Sequence, residues 1–156
     1  MIVIDTLHYV NWDRTILRAL GESGGMFGFS LYPFHLKNSP NCKLEDFCAI
    51  VHKTADLMGI DHIEIGSDLC RHWDYSTLER MRSGRWTVDP DFGERSSAKP
   101  QWPDQPSWFE SASDIINIAS GLADSGFLDS EVAKIMGGNW YAFFDKSFGF
   151  LSAAQS

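Results

Sequence analysis

Asp68 ends the stretch Gly59-Ile60-Asp61-His62-Ile63-Glu64-Ile65-Gly66-Ser67-Asp68, which reads as a short buried strand carrying a carboxylate to its C-terminal tip. Side chains alternate along a strand, so Ile63 and Ile65 point to one face while His62, Glu64, Gly66 and Asp68 point to the other. The isoleucines need a helix over them. The second face, polar and partly glycine, suits the crowded interior of a parallel barrel, where an acid at the strand tip faces the place in which barrel enzymes do their chemistry. Asp68 is therefore the first candidate functional residue; its bland alternative is a cap or turn residue ending the strand.

The other reactive side chains are less suggestive. His8, His35, His52, His62 and His72 show no HExxH and no other helical pair at metal spacing. His72-Trp73-Asp74 is an H-x-D triplet able in principle to present two ligands, yet it falls among loop residues beyond a strand end. His52 sits on the polar side of its helix and is expected to be solvated. His35 follows an apolar strand, where barrel enzymes keep functional loop residues. Cys70 has only His72 nearby and reads better as a packing residue than as a nucleophile. No Gly-x-Ser-x-Gly elbow is present, and neither Gly24-Gly25 nor Gly137-Gly138 lies between a strand and a following helix as a phosphate-binding loop does.

The elements that must position these groups are read from periodicity. Ile2-Val3-Ile4 reads as a strand remnant, and Asn11 or Asp13 caps a helix bearing Ile16, Leu17 and Leu20 until Gly24-Gly25 stops it. Met26 to Tyr32 is apolar throughout and closed by Pro33, the pattern of a strand buried on both faces. Asn41 is a suitable cap for a helix in which Leu44, Phe47, Cys48, Val51, Ala55 and Met58 recur at helical steps before Gly59 ends it. Strand, helix and strand with short connections make a βαβ unit, so the strands at 26–32 and 60–68 should be parallel with a right-handed crossover.

Beyond Cys70 the periodicity fails as far as Pro106, with Trp73, Trp86 and Trp102 set among polar residues and prolines. Such a stretch is either a lid or, the favoured reading, a decorated surface loop pinned by its tryptophans. Ser107 then opens a helix through Phe109, Ala112, Ile115, Ile116, Ala119 and Leu122. Asp129-Ser130-Glu131 starts another, stopped by Gly137-Gly138, and Trp140, Phe143 and Phe144 form a last apolar turn. The expected domain spans 1–146, with 70–106 as the excursion and 147–156 as a tail. Two parallel strands cannot make a self-sufficient sheet, so the chain reads as a piece of something larger.

Composition bounds the partners. A chain of 156 residues that is 44% hydrophobic and 22% charged can bury one core. Its net charge of -8 argues against nucleic acid or an anionic membrane surface as the main partner. Cys42, Cys48 and Cys70 are odd in number and lack CxxC spacing, which fits reduced thiols in a cytoplasmic compartment. No secretory leader, lipid-anchor signal or membrane-spanning run is read from the sequence.

The segments Ile60 to Asp68, Gly24-Gly25-Met26-Phe27-Gly28-Phe29 and Ile135-Met136-Gly137-Gly138-Asn139-Trp140 together resemble the membrane (renal) dipeptidase family. The resemblance runs from about Asn11 to Phe144 and corresponds to the C-terminal portion of that family. It implies an α/β fold, a partial TIM-like (β/α) barrel made of the last parallel βα units and closing helices. It also implies a zinc-dependent amidohydrolase-type enzyme that cleaves dipeptides with two zinc ions. On this resemblance Asp68 engages the amino end of the substrate and Tyr32 lines its pocket. The family's H-x-D pair, bridging glutamate and two later histidine ligands belong upstream of Met1, so no residue of this chain is assigned as a metal ligand or as catalytic. Val10-Asn11 stands where the family has an Arg-Asn pair gripping the substrate carboxylate, and Ala142 stands where an arginine is common.

In that family the zinc ions bring the pKa of bound water toward about 7 and polarise the peptide carbonyl. A chain with Asp68 and no ligands is expected to bind no zinc alone and to need a companion barrel half for hydrolysis. The competing expectation is a non-catalytic remnant that self-associates through its open sheet edges as a binding or scaffold module. An independent hydrolase using Cys70 and His72 is the least favoured reading. The expected partners are a dipeptide-like substrate and either the missing half or further copies of the chain.

Overall fold

The computed structural model describes residues 3–5, 13–67, 69, 76–77 and 104–149. Residues Met1–Asp68 and Gln105–Ser156 form one compact unit and Leu69–Asp104 a second. All the elements that follow belong to the first.

Three parallel strands lie in the order β1 (Val3–Asp5), β2 (Met26–Ser30) and β3 (Ile63–Gly66). The sequence led us to expect two good strands, and the weak Ile2-Val3-Ile4 signal is in fact a third, paired in register Val3 with Met26 and Asp5 with Gly28. On the other side Phe27 pairs with Ile63, Gly28 with Glu64 and Ser30 with Gly66. The Leu31 N–H donates to the Gly66 carbonyl at 3.1 Å, so the ladder runs one residue past the strand.

Helix α1 (Arg14–Glu22) starts at Asp13, whose carboxylate accepts from the Thr15 N–H at 2.8 Å and is held below its usual range by that bond. Leu17 and Leu20 are buried as the periodicity requires, whereas Ile16 is exposed. Helix α2 (Leu44–Met58) ends at Gly59, whose φ of 89° reverses the chain into β3 and is costly for any residue with a Cβ. Asn41 does not cap α2; it closes a 3-10 turn (Ser39–Asn41), and Lys43 is the residue before the helix. Acidic Glu45 and Asp46 in the first turn favour the helix dipole instead.

The expected strand over 60–68 is shorter in the structure. Ile60–His62 form a 3-10 turn because the His62 N–H bonds back to the Gly59 carbonyl, and the His62 ring is fixed 3.1 Å from the Gly25 carbonyl. Beyond Asp104, Trp108 and Phe109 lie in a buried turn rather than in the helix expected from Ser107. The helix α3 (Ile115–Asp124) begins after Asp114, whose Oδ2 accepts from the Ser111 N–H at 2.7 Å and the Ser111 hydroxyl at 2.8 Å. Ile118 and Leu122 of α3 are fully buried, whereas Ile115 and Ile116 are exposed. Helix α4 (Asp129–Ala133) passes through a π-turn (Lys134–Gly138) into α5 (Asn139–Phe148). Gly137-Gly138 was expected to stop the helix; instead Gly137, at φ 151° and ψ -22°, kinks it and lets it resume.

The core is aromatic on the face of the sheet that carries Phe27, Phe29 and Ile63. Phe29 meets Phe47 of α2 edge-on at 5.9 Å, and Phe47 meets Trp108 at 5.4 Å. The Trp108 indole N–H donates to the Cys42 carbonyl at 2.8 Å, so burying the ring leaves no donor unpaired. The opposite face, carrying Gly28 and Glu64, is covered by the π-turn and the start of α5. Among the described residues no helix is long and apolar enough to cross a membrane.

Candidate functional site

The C-terminal ends of β2 and β3 lie side by side, as the Ser30–Gly66 register requires. Ser30 is buried, and its Oγ accepts from the Tyr32 N–H at 3.2 Å. The same hydroxyl sits 2.8 Å from Nδ1 of His35, and the His35 ring stands edge-on to Tyr32 at 5.1 Å. Pro33, fully buried, fixes the backbone for the 3-10 turn (Pro33–His35) that swings His35 back over the strand end. The structure thus brings Tyr32, the expected pocket aromatic, together with His35 through a serine that sequence reasoning did not single out. Its signal was spacing: Ser30 lies two residues before Tyr32 and five before His35.

Gly66 and Ser67 lead to Asp68, which lies outside the described residues, as do Val10-Asn11, Cys70 and His72-Trp73-Asp74. Ala142 is an exposed residue of α5.

A second cluster lies further into the sheet. Glu64 is only 1% exposed, and its Oε2 accepts from the Trp140 N–H at 2.9 Å at the start of α5. Burial pushes its carboxyl up to about 7, against the opposing pull of backbone N–H groups of Trp140, Ile65 and Asn139. Trp140 also covers Gly28, where a Cβ would touch its ring at 3.6 Å. Asn139 directs its side-chain NH2 to the carbonyls of Ile60 at 2.7 Å and Ile63 at 2.9 Å. The Gly-Gly-Asn-Trp segment and the Ile60 to Gly66 segment, both singled out in the sequence, therefore bind one another. Alternation placed Glu64 on the inner face, but nothing local announced its partner 76 residues away.

Other reactive groups among the described residues have structural partners. His52, half-buried, stacks on Phe127 at 3.9 Å, with Nε2 at 3.0 Å from the Ser125 carbonyl. Burial pushes the Cys42 and Cys48 thiols up to about 11, which disfavours the thiolate a nucleophile needs. Among the described residues no three His, Cys, Asp or Glu side chains are grouped to hold a metal ion. His35, His52 and His62 stand on separate elements, bonded to Ser30, Ser125 and Gly25 respectively. The described donor set does not fit a two-zinc centre.

No family model and no curated protein matches the sequence. Solved structures do match in fold. An amidohydrolase from Pseudomonas aeruginosa superposes with a TM-score of 0.71 at 19% identity, over 87% of this chain and 40% of that one. The dipeptidase AC, a metallopeptidase of family M19, does so with a TM-score of 0.61 at 16% identity, over 87% of this chain and 32% of that one. This chain spans less than half the length of either. At the level of fold it matches part of an amidohydrolase and part of a metallodipeptidase, in keeping with the resemblance read from its glycine-bounded segments.

Proposed function

We propose that this chain is the C-terminal portion of a metal-dependent, membrane-dipeptidase-like hydrolase, a partial TIM-like barrel that cleaves dipeptides once the remaining barrel half is supplied. The observation that carries the reading is the strand-end register. Ser30 pairs with Gly66, so Tyr32 and Ser67 follow the paired strands at the same end of the sheet, and Asp68 is the next residue of the sequence after Ser67. Parallel α/β sheets bind their ligands at that end. Asp68 is assigned to the ammonium group of the substrate and Tyr32 to its pocket wall, with residues 1–146 as the barrel portion, 70–106 as an excursion and 147–156 as a tail. The zinc ligands belong to the other half.

The test is zinc content and dipeptide turnover, measured on the purified chain alone and after adding a polypeptide supplying the upstream strands. Turnover only in the mixture, lost at least 100-fold with Asp68→Asn, is the expected result. Stoichiometric zinc with turnover by the lone chain overturns it. The exposure of Tyr141, Phe144 and Phe148 along α5 favours a second reading, a non-catalytic module that associates with itself. A stable symmetric dimer in sedimentation, with no gain of activity on mixing, selects that alternative.

A further inference from the structure

We propose that Glu64 and the kink at Gly137 form a proton-operated latch, in which a proton taken up from solvent by Glu64 favours docking of α5 on the sheet and its release favours undocking. Three features of the fold make the latch. The first is the carboxyl itself, buried on the inner sheet face and bonded to the Trp140 N–H. The second is that the bond is made to Trp140, three residues past the kink at Gly137, so it ties the start of α5 to the sheet. The third is the hinge: Gly137 sits at φ 151° with nothing near the position of a Cβ, so the backbone there turns without steric obstruction.

The surrounding charges leave the proton as the control. β2 carries no titratable side chain, and β1 places Asp5 in the same row of the register, next to Gly28. Lys134 on the π-turn is paired with Asp61 at 2.6 Å, and His62 is bonded to Gly25. From α5 come Tyr141, Asp145 and Lys146, of which Tyr141 and Lys146 are exposed. Helix α2 carries Glu45, Asp46, His52, Lys53 and Asp56, and its Phe47 meets Phe29 on the opposite face of the sheet.

The sign follows from linkage. An undocked, hydrated Glu64 titrates near its ordinary 4.5, and burial raises the docked carboxyl to about 7. The docked state therefore holds its proton more tightly, and the contribution of Glu64 to docking is full below 4.5 and lost as pH rises through 7. Between pH 6 and pH 8 those two values give an opening equilibrium that increases by about tenfold.

Hydrogen exchange of the Asn139–Phe148 amides in the full chain, corrected for intrinsic rates, measures that opening. The expected result is about tenfold loss of protection from pH 6 to pH 8 in the wild type and a flat profile in Glu64→Gln, whose amide oxygen still accepts from Trp140. An unchanged pH dependence in the glutamine variant overturns the latch. Should that variant not fold, the Glu64 side-chain carbonyl carbon of the wild type is followed by NMR. A midpoint near 7 that the Trp140 amide shift tracks supports the proposal, and a midpoint near 4.5, from an undocked helix or an unfolded chain alike, overturns it. Neither readout depends on catalysis, so it stands or falls separately from the assignment to a dipeptidase-like hydrolase.

Discussion

Asn139 shows how one side chain serves two carbonyls at once, one in the 3-10 turn and one at the start of β3. Its NH2 group serves both Ile60 and Ile63, and at 6% exposure water is not at hand to replace it. Asn139→Ala is expected to cost about 1–3 kcal/mol in urea denaturation, the penalty for leaving buried acceptors unpaired. Asn139→Asp keeps the shape but turns acceptors toward acceptors, and is expected to cost at least as much. The two described thiols give a second residue-scale expectation. With both held near 11, Cys42 and Cys48 in the folded chain should react with iodoacetamide at pH 8 far more slowly than in urea. Peptide mass spectrometry of the alkylated sites reads the difference.

At the scale of elements, Gly137 is a position where a single methyl group acts through the backbone rather than through a clash. Space around it is open, so the penalty in Gly137→Ala comes from backbone conformation alone, about 1–3 kcal/mol. Loss of helical signal at the C-terminal end is the expected companion, measured by circular dichroism alongside thermal melting. The same element marks what a sequence does and does not disclose. Helix α2 was legible because Phe47, Cys48, Val51 and Met58 repeat at helical steps and Gly59 ends the run. The alternation of Ile63 and Ile65 was equally legible as strand, but Ile60 looked like part of it. Only the Gly59 turn and the Gly25 carbonyl that holds His62 reveal otherwise, and the second is 37 residues away. Gly137-Gly138 carries the composition of a stop signal, and tertiary bonds from Asn139 and Trp140 restart the helix behind it. The candidate site divides the same way: Tyr32 was visible as a strand-end aromatic, whereas Ser30, masked by its apolar neighbours, emerged only once the backbone folded His35 onto it.

For the molecule as a whole, the surfaces that matter are its sheet edge and its exposed aromatic face. β3 pairs with β2 alone among the described strands, and a parallel edge invites a partner. Trp140 stacks on Phe144 at 5.2 Å and Phe144 on Phe148 at 5.9 Å, a row that continues outward from the covered sheet face. With Tyr141 64% exposed and Phe144 44% exposed, this helix offers a contiguous apolar surface. Phe144→Lys is expected to shift the chain toward monomer in analytical ultracentrifugation without lowering its melting temperature by more than a few degrees. A wild-type monomer would count against self-association, and an oligomer unchanged by the substitution would assign association to the sheet edge instead.

The bond between Glu64 and Trp140 also bears on how the chain acquires its shape. Donor and acceptor are 76 residues apart, so the ring they close includes the entire second unit. Loop-closure entropy rises only slowly with length, yet contacts so distant in sequence slow the search for the native arrangement. During synthesis the Glu64 side of β3 therefore lacks this cover until α5 has been made.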